Sequence, residues 1–243
     1  IGTSKTKLLI DVGISFTKIK EYLKEDNISI KDITGIIITH EHTDHICALS
    51  NFINKTKVKI YMTSKTYEAV SKNLKMDFSY VEIHKNDINE IGDFKIKPIS
   101  LSHDAVDNTG LIIQDKDNKI VYITDTGYLN LRFYEDLKGA DCYIFESNHD
   151  VELLLNGPYP HYIKRRILSD KGHLSNLVSA EHLANLITDK TKYIVLAHLS
   201  EINNHPKLAL DELKKAFEKH KINFNKKNII IASQYEPTTK IAI

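Results

Sequence analysis

The sequence lacks most of what marks a secreted, membrane-spanning or nucleic-acid-coating protein. It holds two cysteines, Cys47 and Cys142, in 243 residues, too few for a disulfide framework. Both lie among apolar neighbours and read as buried, reduced thiols, which suits a cytoplasmic compartment. No apolar run approaches the ~20 residues that span a bilayer, so no membrane role is expected. No charge of one sign dominates, because 33 Lys and Arg stand against 32 Asp and Glu. That balance argues against a protein that coats polyanions, and any phosphate-binding patch has to be local. Internal repeats are absent, as are linkers rich in Pro, Gly or Ser, so residues 1–243 read as one domain. The chain opens on Ile1 rather than Met. Ile1 and Gly2 look like the end of a strand, and an opening strand is expected to precede them.

What is present is a set of short β-branched runs separated by helical patterns. Strands are expected at 7–11, 35–39, 58–62, 80–83, 94–100, 110–114, 120–124, 142–146, 193–197 and 228–231, from apolar runs of strand length. Helices are expected at 15–24, 44–54, 64–74, 129–137, 175–187 and 207–220, from apolar spacing of three and four. Residues 80–124 form a meander without a helix, and both ends of the chain alternate strand and helix. That order fits a layered α/β or α+β domain, although periodicity alone does not choose among layered folds.

The densest chemistry follows the apolar run Ile36-Ile37-Ile38-Thr39. It reads His40-Glu41-His42-Thr43-Asp44-His45. Residues two apart in an extended segment point the same way, so His40 and His42 can bind one metal. Asp44 and His45 then open a helix and can bind a second. A surface loop with Asp44 as helix cap is the plain alternative, but it leaves three histidines in six positions unexplained. The metalloprotease pattern H-E-x-x-H is excluded by Asp44.

The spacing H-x-H-x-D-H resembles the signature of the metallo-β-lactamase superfamily, and the resemblance extends along the chain. It implies a four-layer αββα sandwich and a site holding two divalent ions, with Zn, Mn and Fe all compatible with His and Asp ligands. Carried over residue by residue, it implies His40, His42 and His103 on one ion, Asp44, His45 and His198 on the other, and Asp125 between them. Asp11, in Leu9-Ile10-Asp11-Val12-Gly13, would orient a ligand.

A closer resemblance lies in Phe145-Glu146-Ser147-Asn148-His149-Asp150, Gly157-Pro158-Tyr159-Pro160, Gly172-His173-Leu174-Ser175-Asn176 and His198-Leu199-Ser200-Glu201-Ile202-Asn203-Asn204. This succession is similar to the YycJ/WalJ (VicX-like) family of bacterial metallohydrolases. It implies a phosphodiesterase acting as an exonuclease, 5′→3′, on DNA in preference to RNA. Asp44 would then orient or deprotonate water, and His173 would protonate the leaving group. Ser175 could instead simply cap the helix after it. Lys164, Arg165 and Arg166 form the densest basic cluster, which suits either a phosphate backbone or a solvated helix face. Asn148, His149, Ser175, Asn176, Asn203 and Asn204 are further candidates for substrate contact.

Three other readings compete. A thioester, ester or lactone hydrolase of the same superfamily would share the metal ligands, but the basic stretch and His173 argue against it. A di-iron oxygen- or nitric-oxide-reducing protein would carry Glu where His42 stands. A metal-stabilised regulatory module without turnover would need fewer ligands.

Overall fold

A computed structural model describes residues Ile1–Ile243. The chain divides into two compact units, an amino-terminal one of Ile1–Ser100 with Ala105–Thr109 and a carboxy-terminal one of Leu101–Asp104 with Gly110–Ile243.

The amino-terminal unit contains β1 (Leu8–Ile10), α1 (Phe16–Glu25), β2 (Gly35–Ile37), α2 (Thr43–Ile46), α3 (Leu49–Lys55), β3 (Lys59–Met62), α4 (Ser64–Leu74), β4 (Val81–Glu82), β5 (Asn89–Ile91) and β6 (Phe94–Ser100). Strands β1 to β4 pair in that order, all parallel. Parallel strands need helical crossovers, and α1, α2 with α3, and α4 supply them. Ile36, Ile37 and Ile38 are all buried, which is why β2 reads as an unbroken apolar run rather than an alternation. Strand β6 does alternate at its start. It pairs antiparallel with β5 through a turn at Gly92, whose φ of +59° suits glycine.

Helix ends in this unit follow the local chemistry. The Ser15 hydroxyl accepts the Lys18 N–H to start α1, and the Thr63 hydroxyl accepts the Thr66 N–H to start α4. Ile19, Leu49 and Phe52 then pack into one cluster with Ile36, Ile38 and Met62. Phe52 is fully buried, so truncating it to Ala would cost about 3–5 kcal/mol.

The carboxy-terminal unit contains β7 (Thr109–Gln114), β8 (Lys119–Ile123), α5 (Tyr134–Leu137), β9 (Cys142–Glu146), α6 (Val151–Asn156), α7 (His161–Ile167), α8 (Asn176–Leu186), β10 (Tyr193–Ala197), α9 (Pro206–Lys219) and β11 (Asn228–Ile231). β7 and β8 form an antiparallel hairpin whose turn is held by Asp115 Oδ1, which accepts the N–H groups of Asp117 and Asn118. β8, β9, β10 and β11 run parallel in that order. Tyr143 is fully buried, and its hydroxyl lies 2.8 Å from the Leu137 carbonyl and 2.9 Å from that of Leu186.

Several expectations are corrected. The helix expected at 44–54 is two helices, α2 and α3, divided at Cys47 and Ala48. The helix expected at 129–137 is instead a 3₁₀ turn, Leu131–Phe133, leading into the short α5. Gly2 bridges Lys7 antiparallel and Ile1 exchanges backbone hydrogen bonds with Leu8, so these two residues pair with the start of β1 without being a strand of their own. Helices α6 and α7 were not anticipated, because each is short and without apolar periodicity. Cys142 is buried as expected, but Cys47 is exposed. It faces outward from the short break between α2 and α3.

Candidate metal and proton-transfer site

In the amino-terminal unit the chemistry gathers where β1 and β2 end. The chain after β2 stays extended through His42, and Nε2 of His40 and Nδ1 of His42 stand 3.0 Å apart. Two imidazole nitrogens bound tetrahedrally at the ~2.0–2.1 Å typical of zinc would stand about 3.3 Å apart, so the pair is close to the spacing of a shared ion. His45 follows on α2, and its ring lies 4.0 Å from that of His40. Its Nδ1 meets Asp11 Oδ2 at 2.7 Å. Asp11 also accepts the Thr39 N–H and hydroxyl, each at 2.8 Å. An Nδ1–H given to a carboxylate leaves Nε2 as the coordinating nitrogen. Asp44 Oδ2 is 3.8 Å from that Nε2, on an exposed side chain.

Asp44 does not cap the helix. The N-cap position belongs to His42, and Asp44 lies in the first turn. The Asp11–Gly13 turn is clamped to α2 by Val12 N–H to His45 O and Ala48 N–H to Val12 O. A Cβ on Gly13 would come within 1.6 Å of the Asp44 carbonyl oxygen, so only glycine permits this approach. Glu41 turns away from the histidines. It is buried, and its Oε1 accepts the Val106 N–H at 2.8 Å, so it anchors the 105–109 segment.

In the carboxy-terminal unit the ligating atoms of Asp125, Glu146, His173 and His198 all lie within 4.8 Å of one another. The centre of this group is Glu146, the last residue of β9, which is fully buried. Its Oε1 meets Nδ1 of His198 at 2.7 Å and Nδ1 of His173 at 2.8 Å. It also accepts the backbone N–H groups of Asp125, Thr126 and Leu174. Burial alone would raise the pKa of this carboxyl. The hydrogen bonds and positive charge of His173 and His198 outweigh it and hold the value down to about 2. Glu146 therefore stays a carboxylate and fixes both imidazoles with Nδ1–H inward.

His103 joins the group from the loop after β6. Its Nδ1 lies 3.3 Å from the Gly172 carbonyl, and its Nε2 is 3.9 Å from Asp125 Oδ1. His173 stands between His103 and His198, with ring centres 5.1 Å from each. His198 Nδ1 is 3.5 Å from Asp125 Oδ1. Asp11, Asp125 and His198 share one backbone device. Each follows a parallel-sheet strand and each has a left-handed backbone, with φ of 58°, 60° and 59°. Such residues cost about 1–3 kcal/mol and collect at functional sites.

The candidate substrate residues divide by exposure. Arg165 and Arg166 are exposed on α7, with Lys164 half-buried beside them. Lys164 donates to the Leu155 carbonyl and Arg166 pairs with Asp104, which leaves Arg165 uncommitted. Asn176, Asn203 and Asn204 are buried, as are Asn148, His149 and Ser175. Asn204 Nδ2 donates to the carbonyls of Ser147 and Asn148, and Asn176 Nδ2 donates to Asn204 Oδ1. Asn148 donates to the His198 carbonyl, and Ser175 caps α8 by accepting the Val178 N–H. These contacts brace the loops after β9 and β10 from within. Burial pushes the His149 pKa down to about 4, so this ring is neutral.

Glu146 and Thr39 were missing from the sequence-based set. The available signal for Glu146 was a carboxylate closing the apolar run Cys-Tyr-Ile-Phe, an expensive place for an unpaired charge.

The family model of the β-lactamase superfamily domain matches residues 6–198. The chain is 41% identical over 212 residues to exodeoxyribonuclease YycJ of Bacillus anthracis, covering 86% of this chain and 80% of that one. It is 42% identical over 213 residues to exodeoxyribonuclease WalJ of Streptococcus pneumoniae, covering 86% and 79%. Among solved structures, the metallo-β-lactamase fold protein YhfI of Bacillus subtilis superposes with a TM-score of 0.70 at 18% identity, covering 95% of this chain and 86% of that one. At that identity the likeness speaks to the fold alone. With the family model spanning most of its length and two curated relatives above 40% identity, the chain belongs to the metallo-β-lactamase superfamily and, within it, to the YycJ/WalJ family.

Proposed function

We propose that the protein is a two-metal phosphodiesterase that removes nucleotides from the ends of DNA, 5′→3′, in the cytoplasm. The observation that carries this reading is Glu146 holding His173 and His198 together at 2.8 and 2.7 Å. That arrangement sets one imidazole beside a candidate metal ligand and keeps its tautomer fixed. The names of the curated relatives support DNA as the substrate class, and the two free cysteines suit a reducing compartment. No helix is long and apolar enough to cross a membrane.

His40, His42 and His103 would hold one divalent ion and Asp44, His45 and His198 the other, with Asp125 shared between them. Zn, Mn and Fe all suit this donor set. Such a pair lowers the pKa of water and offsets charge on a phosphate. Asp44 is the exposed carboxylate of the motif, and it would orient a water and accept its proton. His173 gives Nδ1–H to Glu146, so Nε2 is the nitrogen that carries a proton to the departing oxygen. The anionic Glu146 holds the ring in place through its Nδ1–H, and the proton given up from Nε2 would be replaced from water. Arg165 would meet the flanking phosphate, with Lys164 and Arg166 shaping α7 around it.

The test is hydrolysis of end-labelled single- and double-stranded DNA and RNA by metal-stripped protein supplied with Mn²⁺ or Zn²⁺. Stepwise loss from the 5′ end of DNA, absent in Asp44→Ala, is expected. Thioester or lactone cleavage with no attack on nucleic acid would replace this reading with a small-molecule hydrolase. Tight metal binding without turnover on any class would replace it with a regulatory module.

A further inference from the structure

The amino-terminal unit carries a second feature of functional scale. Between α1, the 3₁₀ turn Ile30–Asp32 and the α3–β3 junction lies a groove of 1430 Å³. That exceeds the roughly 300–1,000 Å³ of a small-molecule pocket and suits a length of polymer. Six lysines line it: Lys20 and Lys24 from α1, Lys31 from the 3₁₀ turn, and Lys55, Lys57 and Lys59 from the junction. All six are exposed. Lysines outside the groove, among them Lys85, Lys190, Lys192, Lys215 and Lys219, make ion pairs with carboxylates.

The single acidic side chain in the lining is Asp32, and it is already engaged. Its Oδ2 accepts the Ser29 N–H at 2.7 Å in a capping box. The charges on α1 are sorted by face. Phe16, Lys20 and Lys24 recur every four residues, so they share one side of the helix, and they line the groove. Glu21, Glu25 and Asp26 do not. Lys57 and Lys59 repeat at the two-residue spacing of an extended segment. The lining thus combines two basic rows with apolar side chains that include Ile28, Ile30, Ile33 and Val58.

The groove is separate from the histidines. It is lined by Thr34 and Lys59, where the chain enters β2 and β3, whereas His40 follows the far end of β2. In a parallel sheet all entries lie on one edge and all exits on the other. Five residues separate Gly35 from His40, which is about 17 Å at ~3.3 Å per residue.

Lysine ammonium groups are flexible point charges that neutralise phosphate without reading sequence. Two basic rows beside apolar side chains, with Phe16 among them, match an unpaired strand, its backbone at the lysines and its bases against the apolar lining. We propose that this groove holds the phosphodiester backbone of single-stranded nucleic acid and anchors it at a distance from the reacting end. The choice of nucleic acid as occupant rests on the nuclease reading above, but the measurement of binding does not need turnover.

The test uses the full chain in EDTA, so that nothing is cleaved, and fluorescence anisotropy of labelled oligothymidylates. Lys20→Gln/Lys24→Gln/Lys57→Gln is compared with Lys116→Gln/Lys138→Gln/Lys226→Gln, which removes the same charge from exposed sites outside the groove. Thermal midpoints of both should match the wild type. At ~3.4 Å per nucleotide, a strand of about three spans only ~10 Å and falls short of the distance from groove to histidines, whereas one of about thirty covers it. With the long strand, the groove variant is expected to bind at least about tenfold more weakly and to lose about 2 from its log–log salt slope, at ~0.7 per phosphate. The charge-matched control should stay near wild type. Equal losses in both variants would overturn the proposal, as would no loss in either. Tighter binding of labelled polyglutamate than of DNA at equal salt, abolished by the groove substitutions, would overturn it in favour of an acidic protein. If metal-loaded wild type cleaves no nucleic acid, the nuclease reading fails independently of these outcomes.

Discussion

Glu146 Oε1 accepts a hydrogen bond from His173 Nδ1 at 2.8 Å, from a position that solvent does not reach. The same carboxylate receives His198 and three backbone N–H groups. Glu146→Gln keeps the shape but turns an amide donor toward groups that are themselves donors. Metal affinity or activity should fall about 10–100-fold, with a stability loss on the order of 2–4 kcal/mol from stranded donors. Chemical denaturation and metal titration of the variant read both effects.

His173→Ala should separate proton delivery from metal binding. Metal content is expected to match the wild type while turnover falls by on the order of 10²–10⁴, the usual worth of a general acid. Elemental analysis alongside single-turnover hydrolysis decides it. A variant that arrives without metal would make His173 a ligand instead.

Asp11→Asn isolates charge from backbone. Asn tolerates the left-handed φ of 58° as well as Asp does, so the fold should persist. The His45 Nδ1–H loses its anionic partner, and affinity for the ion at His45 should drop about 10–100-fold. Isothermal titration with Zn²⁺ or Mn²⁺ would show the loss in one binding step and not in the other.

The two thiols should react unequally. Burial pushes the Cys142 thiol up to about 11, which leaves it protonated and shielded at pH 8. Cys47 is exposed. A thiol-exchange reagent should therefore titrate one group per native chain, the other appearing only on denaturation, and Cys47→Ser should remove the fast group.

Acid should weaken the carboxy-terminal unit through His182. Burial lowers its pKa to about 4, against 6.5 unfolded, and its Nδ1 sits beside the Tyr134 hydroxyl. The neutral ring is the folded form, so its contribution is complete above pH 6.5 and is lost as pH falls from there toward 4. The shift corresponds to on the order of 3 kcal/mol. Unfolding free energies of wild type and His182→Phe should converge over that interval, the variant having the flatter acid limb.

Much of this was legible in the residues, for reasons that differ by element. His40, His42 and His45 announce themselves because ligands crowded after an apolar strand have few other uses. Asp125 and His198 are readable as the polar ends of buried runs. Glu146 was quoted within a motif but given no role, since one carboxylate has no spacing to interpret. Its importance lies in partners 27 and 52 residues away in sequence. Asn176 and Asn204 read as candidates for substrate contact because sequence does not reveal that each finds its partner in the other. Helix α6 escaped notice because its start depends on one cap, Asp150 accepting the Leu153 N–H, and not on a repeating apolar face.

The left-handed bends at Asp11, Asp125 and His198 mean that these side chains are aimed by where the main chain turns, not by the reach of a flexible arm. Few residue types accept that turn. Selection can therefore rewrite the outer loops of such a protein, and with them what it recognises, far more freely than it can relocate the atoms that react. A designer seeking a new substrate should leave those three corners alone and work on what surrounds them.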